Sequence, residues 1–356
     1  TAGRGPLLPL DAEALTSIAV IGPRADDVAL DWYSGTPPYT VSALEGIRAR
    51  VAGRSGVQVR YAKDNARGLA AALARDSDVA IVVVGNHPTC DAGWDECPTP
   101  SDGKEAIDRR AIILEQEALV KEIYRANPNT IVVLLASFPF AIPWTDHHVP
   151  AIVHLTHNSQ ELGNGLADVL FGDVSPGGRL VQTWPRAIEQ LPPRLDYDLR
   201  RGRTYMYFRG EPLYPFGHGL SYTTFEYANL RLHAPDFEPE LEVELGPVVA
   251  PGGSITVSFD VTNTGARAGD EVVQLYVQRP ASAVERPRKA LKGFRRVTLL
   301  PGETHTVTLP LTWQALAHWE PDLGRWETEP GPVRVQVGSS SADIRLIGQF
   351  EVPAGL

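Results

Sequence analysis

VAIVVVGNHPTCDAGWDECPTPSDGKEAIDRR, Val79 to Arg110, is the stretch on which the reading of this chain turns. Its first seven residues are almost all β-branched or small, so both faces of the strand they form must be covered. That suits the middle of a parallel sheet. The chain then leaves the strand end at Gly85 in a long loop with no hydrophobic period. This loop carries Asp91, Asp95, Glu96, Asp102, Glu105 and Asp108, together with Cys90 and Cys97. In open α/β sheets ligands sit in the crevice outside the carboxyl ends of the strands. A loop of this length in a compact domain is functional or disordered, and the functional reading is taken over that of a solvated surface excursion.

Working outward, SIAVI (Ser17 to Ile21), Val57 to Tyr61, Thr130 to Leu135 and Ala151 to Leu155 read as further buried strands. Helices are predicted between them. One carries Leu44, Ile47 and Val51; one runs from Asn65 to Arg75 with Leu69 and Leu73 aligned; one runs from Glu115 to Ala126. The last carries Leu162, Leu166, Val169 and Leu170, with Ser159 as N-cap and Gly172 as its end. Strands alternating with helices imply an α/β domain with a doubly wound, mainly parallel sheet over 17–201, after a lead-in at 1–16. Gly202 to Phe225 reads as a connector whose aromatics pack where two domains meet. From 226 to 356 the pattern alternates strictly: ITVSFDV, EVVQLYV, HTVTL and VRVQV, separated by turns such as Pro301-Gly302. That is the signature of an all-β sandwich of the immunoglobulin or fibronectin type III class.

With 356 residues, two domains are expected. A net charge of -10 leaves no basic stripe to neutralise phosphates, which argues against nucleic acid as partner. No apolar run has the length of a membrane span, so no membrane partner is expected. The chain starts at Thr1 and its only methionine is Met206. A preceding segment, cleaved, trimmed or carried on another polypeptide, is therefore expected. The two cysteines are separated by six residues, a spacing a short disulfide can close. A bridge is favoured over two unpaired thiols, with metal ligation last, because His87 alone makes a poor third ligand. A bridge would favour a secreted or periplasmic location. No metal and no cofactor is expected. Gly163 to Gly165 and Gly177-Gly178 do not form the G-x-G-x-x-G turn of a nucleotide site.

Several runs carry a family resemblance. They are LLPL leading into SIAVIGPRAD, then DWYSG before EGIRAR, and EAIDRR before QEALVKEIYRANPNTIVVL. Beyond these lie QELGNGLADVLFGDVSPGGRLVQTWP, PLYPFGHGLSYTTFEY, and VTNTGARAGDEVVQLYV with RPRKALKGF. In combination they resemble the C-terminal part of glycoside hydrolase family three over essentially the whole chain. The resemblance implies an α/β sandwich domain and a fibronectin-like domain that follow a (β/α)8 barrel. It also implies retaining exo-β-glycosidase chemistry on a β-linked oligosaccharide or glycoside, a β-xyloside or β-glucoside, with the xylosidase branch slightly preferred. The barrel would be a partner domain or chain, and it would hold the aspartate nucleophile, so no nucleophile is assigned here.

A retaining glycosidase needs a second carboxyl as acid/base. Glu105 matches the glutamate of the family's E-x-x-D-R pattern and lies on the loop already singled out. Some relatives place this group elsewhere in the loop, so Asp91 and Glu96 are the alternatives. A general acid must hold its proton near neutral pH, which burial or a facing carboxylate provides. Closure of the site between two domains would supply both. The competing structural reading makes Glu105 an i, i+4 ion-pair partner of Arg109 at a helix start. Asp108 and Arg109 are expected to brace the loop. Trp94 is a candidate stacking surface for a sugar ring, or a cover for the loop's own core. His147 and His148 read as packing, and Ser159 capping with Glu161 accounts for the region around His157 without a ligand. A non-catalytic carbohydrate-binding or scaffolding protein is the rival reading.

Overall fold

The computed structural model describes residues 6–53, 56–157, 159–234 and 253–354. The first five residues of the expected lead-in, and 235–252 within the expected sandwich, lie outside the described residues. Contacts divide the chain into one unit of residues 1–174 and 184–190 and another of 175–183 and 191–356.

In the first unit β1 (Ser17–Ile21), β2 (Gln58–Ala62), β3 (Val79–Gly85), β4 (Thr130–Leu135) and β5 (Ala151–Leu155) form a parallel sheet in the order β2-β1-β3-β4-β5. Every residue of β1, β3 and β4 is buried, as their continuous apolar runs require. Alternate residues face opposite ways. Ile18, Val20, Ile81, Val83, Ile131 and Val133 share a core with α1 (Ala43–Val51) and α5 (Leu162–Phe171). The intervening residues face α2 (Leu69–Arg75) and α3 (Glu117–Ala126), which pack on each other. Helices on both faces make the sheet doubly wound. The lead-in belongs to this core: Leu10 and Ala12 are buried in it, and Leu10 N–H donates to Leu170 O at 2.7 Å.

Local chemistry sets the helix ends. Ser42 and Glu45 form a reciprocal capping box at α1, with Glu45 N–H donating to Ser42 Oγ at 3.2 Å and Ser42 N–H to Glu45 Oε2 at 2.8 Å. α1 and α5 approach at Gly46 and Gly163, where a Cβ on Gly163 would stand 1.9 Å from Ser42 O. Close helix packing accounts for that glycine.

Two helix expectations are corrected. α5 is capped at Glu161 without a side-chain bond, and Ser159 is not its N-cap. The first-turn N–H of Gly163 is satisfied instead by Val41 O at 2.9 Å, a partner from a distant segment. The predicted helix from Asn65 is interrupted by Arg67 and Gly68 at φ 56° and 75°. α2 therefore starts at Leu69, buries Ala70 and Ala74, and leaves Leu69 exposed.

Among the described residues of the second unit the strands pair antiparallel throughout. β6 (Phe225–His233), β7 (Ser254–Asn263) and β10 (Thr304–Thr312) form one sheet in the order β10-β7-β6. β8 (Gly269–Gln278), β9 (Ala290–Leu299), β13 (Gly331–Gly338) and β14 (Ile344–Val352) form a second in the order β14-β13-β8-β9. β11 (His318–Glu320) and β12 (Arg325–Glu327) add a small hairpin. Strict alternation in β7 puts Ile255, Val257, Phe259 and Val261 into a core shared with Val273, Leu275, Val333, Val335 and Phe350. Segments 175–183 and 191–201, expected in the α/β domain, cluster here. The buried Arg179–Glu271 pair at 3.0 Å and the bond between Ser175 Oγ and Ser221 Oγ at 2.8 Å hold the first of them. The connector's Tyr205 stacks on Phe216 and meets Tyr276 edge-on, so it packs within the β unit.

Candidate functional site

Gly85 closes β3 at φ 142°, where a Cβ would stand 1.8 Å from Leu135 O. Only glycine fits, and the turn it makes starts the acidic loop at the carboxyl end of the sheet. The reversal of strand order falls between β1 and β3, so this is also the switch point where an open α/β sheet presents its crevice.

The base of the loop is anchored by a buried polar network. Asn86 is fully buried; its Oδ1 accepts from Ser137 N–H at 3.2 Å and its carbonyl from His157 Nε2 at 2.7 Å. Ser137 Oγ pairs with His157 Nδ1 at 2.6 Å. Burial lowers the His157 pKa below the usual range, which suits a neutral ring bonded at both nitrogens. His157 is thus a brace between strand ends. His148 stacks on Trp144 at 4.3 Å at the end of the short helix α4 (Pro143–His148), which gives the neighbouring histidines a packing role.

Within the loop Cys90 and Cys97 form a disulfide with their Cα atoms 5.2 Å apart. Cys90, Asp91 and Gly93 all take positive φ, so the bridged segment turns tightly and pushes its side chains outward. Trp94 is 71% exposed and covers no core; it stacks on Trp32, 38% exposed, with centroids 4.2 Å apart and planes 23° from parallel. Lys104 ties the arms together: its ammonium donates to Gly93 O and lies 5.4 Å from the Trp32 ring centroid. Asp91 and Glu96 are exposed and accept no hydrogen bond among the described residues.

Lys104 and Ile107 pair through both backbone bonds, at 3.2 and 3.1 Å, and place Glu105 and Ala106 at the tip of a two-residue turn. Ala106 has φ 65°, and no helix begins here. The i, i+4 ion pair between Glu105 and Arg109 therefore does not form. Arg109 turns inward instead, donating to Ser101 O at 2.8 Å and Pro139 O at 3.0 Å. Its guanidinium lies 3.9 Å from the Phe138 ring centroid. Burial brings the Arg109 pKa down to about 10, against the pull of Asp102 and Glu115. Arg109 thus braces the loop, as expected.

Glu105 faces solvent, and Oε2 accepts a 2.5 Å hydrogen bond from the Tyr33 hydroxyl. Tyr33 belongs to the turn after β1, where Asp31 Oδ1 accepts from Tyr33 N–H at 2.8 Å and from Ser34 Oγ at 2.7 Å. Sequence reasoning assigned no site role to Trp32 or Tyr33. The available signal was a pair of aromatics in an irregular segment at a strand's carboxyl end. It also missed Asp102, whose carboxyl is pushed up to about 6 by burial, against the pull of the Arg24 and Arg109 cations. Among the described residues no group of three His, Cys, Asp or Glu could hold a metal ion, and no helix is long and apolar enough to cross a membrane. The arrangement is an exposed carboxyl on a hydrogen-bonded two-residue turn, bonded to a phenol and flanked by a two-tryptophan platform.

Residues 4–222 match the model of the glycosyl hydrolase family 3 C-terminal domain. The chain belongs to glycosyl hydrolase family 3. Residues 271–341 match a fibronectin type III-like domain. Among relatives, a β-xylosidase of Formosa agariphila is 37% identical over 94% of this chain and 46% of its own length. A periplasmic β-glucosidase of Salmonella typhimurium is 32% identical, also over 94% of this chain and 46% of its own length. The solved structure of a β-D-glucoside glucohydrolase from Trichoderma reesei superposes with a TM-score of 0.81 at 29% identity, covering 97% of this chain and 52% of that one. A β-glucosidase from Erythrobacter marinus gives 0.81 at 31% identity, over 98% and 48%. The family 3 chain described here thus spans about half the length of the relatives it matches.

Proposed function

We propose that this chain supplies the acid/base carboxyl, Glu105, to a retaining exo-β-glycosidase whose aspartate nucleophile lies on a (β/α)8 barrel, in a partner domain or chain. The substrate class is a β-xyloside or β-glucoside, after the activities for which the relatives are named. One observation carries the reading. Of the three candidate carboxylates, Glu105 alone is both presented to solvent and fixed by a side-chain hydrogen bond, beside stacked tryptophans. In the first step the Glu105 carboxyl protonates the leaving oxygen while the nucleophile takes the anomeric carbon. In the second, the Glu105 carboxylate removes a proton from the water that releases the sugar. Such chemistry needs the two carboxyls about 5–5.5 Å apart, a distance only the closed pair of domains can set. The exposed face of Trp94 offers the apolar side of a sugar ring a surface.

Reconstitution tests this. The chain alone should melt cooperatively and show no turnover of aryl β-xylosides or β-glucosides. Co-expressed with the remaining portion of a full-length relative such as the F. agariphila β-xylosidase, it should gain turnover. Hydrolysis by the rigorously purified chain alone would overturn the proposal. Binding of oligosaccharide with no turnover in the reassembled pair would favour the carbohydrate-binding alternative.

A further inference from the structure

We propose that Tyr33 is a positioning residue for Glu105, holding one carboxyl oxygen so that the other carries the transferable proton. The inference rests on the acid/base reading of Glu105 given above.

Tyr33 reaches Glu105 across 72 positions of sequence, and its hydroxyl lies 2.5 Å from Oε2. It is the only hydrogen bond the Glu105 side chain takes among the described residues. The phenol is not carried on a loose loop. Its turn is closed by the Asp31 carboxylate, which accepts from Tyr33 N–H and Ser34 Oγ, and by Ser34 Oγ, which accepts from Asp31 N–H at 3.0 Å. The adjacent Trp32 is stacked by Trp94 and approached by the Lys104 ammonium. Lys104 directly precedes Glu105 and also donates to Gly93 O. Stack, cation–π contact and lysine bond thus clamp the two turns together independently of the Tyr33–Glu105 bond.

The chemical consequence follows from proton count. A phenol has one proton, and here it points at Oε2. A neutral carboxyl with its proton on Oε2 would forfeit that bond, whereas one protonated on Oε1 keeps it. The transferable proton therefore sits on Oε1. When the glycosidic C–O bond breaks, its electron pair stays on the leaving oxygen, which takes the Oε1 proton. The carboxylate left behind keeps the Tyr33 bond. In the second step Oε1 takes a proton from the attacking water, returning the group to its starting state. Tyr33 neither gives nor loses a proton at any point.

The test uses Tyr33→Phe, which removes one exposed hydroxyl and leaves the Trp32 stack in place. In the reassembled enzyme kcat/KM should fall about 10–100-fold for alkyl glycosides, the range for a lost hydrogen bond to a charged group. The first step on activated aryl glycosides should stay within about threefold of wild type, because a good leaving group needs little protonation. The contact has its own readout in this chain alone. With tyrosine labelled at 13Cζ and the Tyr33 signal assigned by its loss in Tyr33→Phe, Tyr33 should titrate above its usual 10.0, raised by the Glu105 bond. Glu105→Gln should bring it back down. A Tyr33 signal indifferent to Glu105→Gln overturns the proposal whatever Glu105 does. Equal rates for Tyr33→Phe and wild type on alkyl glycosides, with Glu105→Ala strongly impaired there, overturn the positioning role and leave the acid/base reading standing. Glu105→Ala without leaving-group dependence overturns both.

Discussion

Asp102→Asn should stabilise the α/β unit at neutral pH and do nothing in acid. The Asp102 carboxyl lies three residues before Glu105 and is pushed from an ordinary 3.8 to about 6 by burial. At 1.36 kcal/mol for each tenfold change in the proton equilibrium, that displacement corresponds to at most about 3 kcal/mol, and solvent screening of this partly exposed carboxyl reduces it to about 1–2 kcal/mol. A folded-state value above the unfolded one means the folded chain holds the proton more tightly. Stability is then greatest below about pH 4, falls as the pH rises from about 4 to 6, and is level above that. Asparagine mimics the protonated acid, so the variant should gain about 1–2 kcal/mol at pH 7.5 and nothing at pH 3.5. Urea-dependent hydrogen exchange on peptides from β3 and β4 reads this unit separately from the β unit. Destabilisation of the variant at pH 7.5 would show that Arg24 and Arg109 hold Asp102 ionised, and a gain that does not change with pH would show that it does not come from the Asp102 proton; either result refutes the reasoning.

Other outcomes follow from the same structure. Cys97→Ala, or reduction, should cost about 2.5 kcal/mol from the loop-closure entropy of so short a ring, and should alter tryptophan fluorescence through the Trp32–Trp94 stack. Thiol titration of the denatured, unreduced chain should find no free thiol. Gly163→Ala places a methyl 1.9 Å from Ser42 O and should lose at least the ~1–3 kcal/mol of ordinary overpacking in urea unfolding; a neutral result would contradict the α1–α5 approach. Glu271→Ala strands the buried Arg179 guanidinium and should cost ~3–5 kcal/mol in the β unit, seen as exchange of the β8 amides.

What could be read from sequence was what local pattern controls. β3 and β4 are unbroken β-branched runs, and all their residues are buried; β7 alternates and does so in space. What could not be read depended on partners far along the chain. Ser159 looks like an N-cap until Val41 O takes the N–H of Gly163. Leu69 and Leu73 look like the buried stripe of a helix from Asn65, but positive φ at Arg67 and Gly68 resets its phase onto Ala70 and Ala74. The α/β domain was expected to run on to residue 201, yet Arg179 finds its carboxylate in β8. The acidic loop was legible as a candidate site from its length and its place after β3. Its geometry was not, because Arg109 is drawn away from Glu105 by Pro139 O and Phe138. Nothing near Glu105 in sequence announces Tyr33, which lies 72 positions away.

Azide rescue of Glu105→Ala tests the central claim most directly. With the barrel supplied and an activated aryl glycoside as substrate, the variant should form its glycosyl-enzyme and stall, because no base remains to activate water. Azide needs no general base, so it should restore turnover from the vacated side and release the β-glycosyl azide. Asp91→Ala and Glu96→Ala should yield no azide product and hydrolyse as wild type does. The β-azide from Glu105→Ala alone is the predicted result; its absence there, or its appearance with Asp91→Ala or Glu96→Ala, would contradict the assignment.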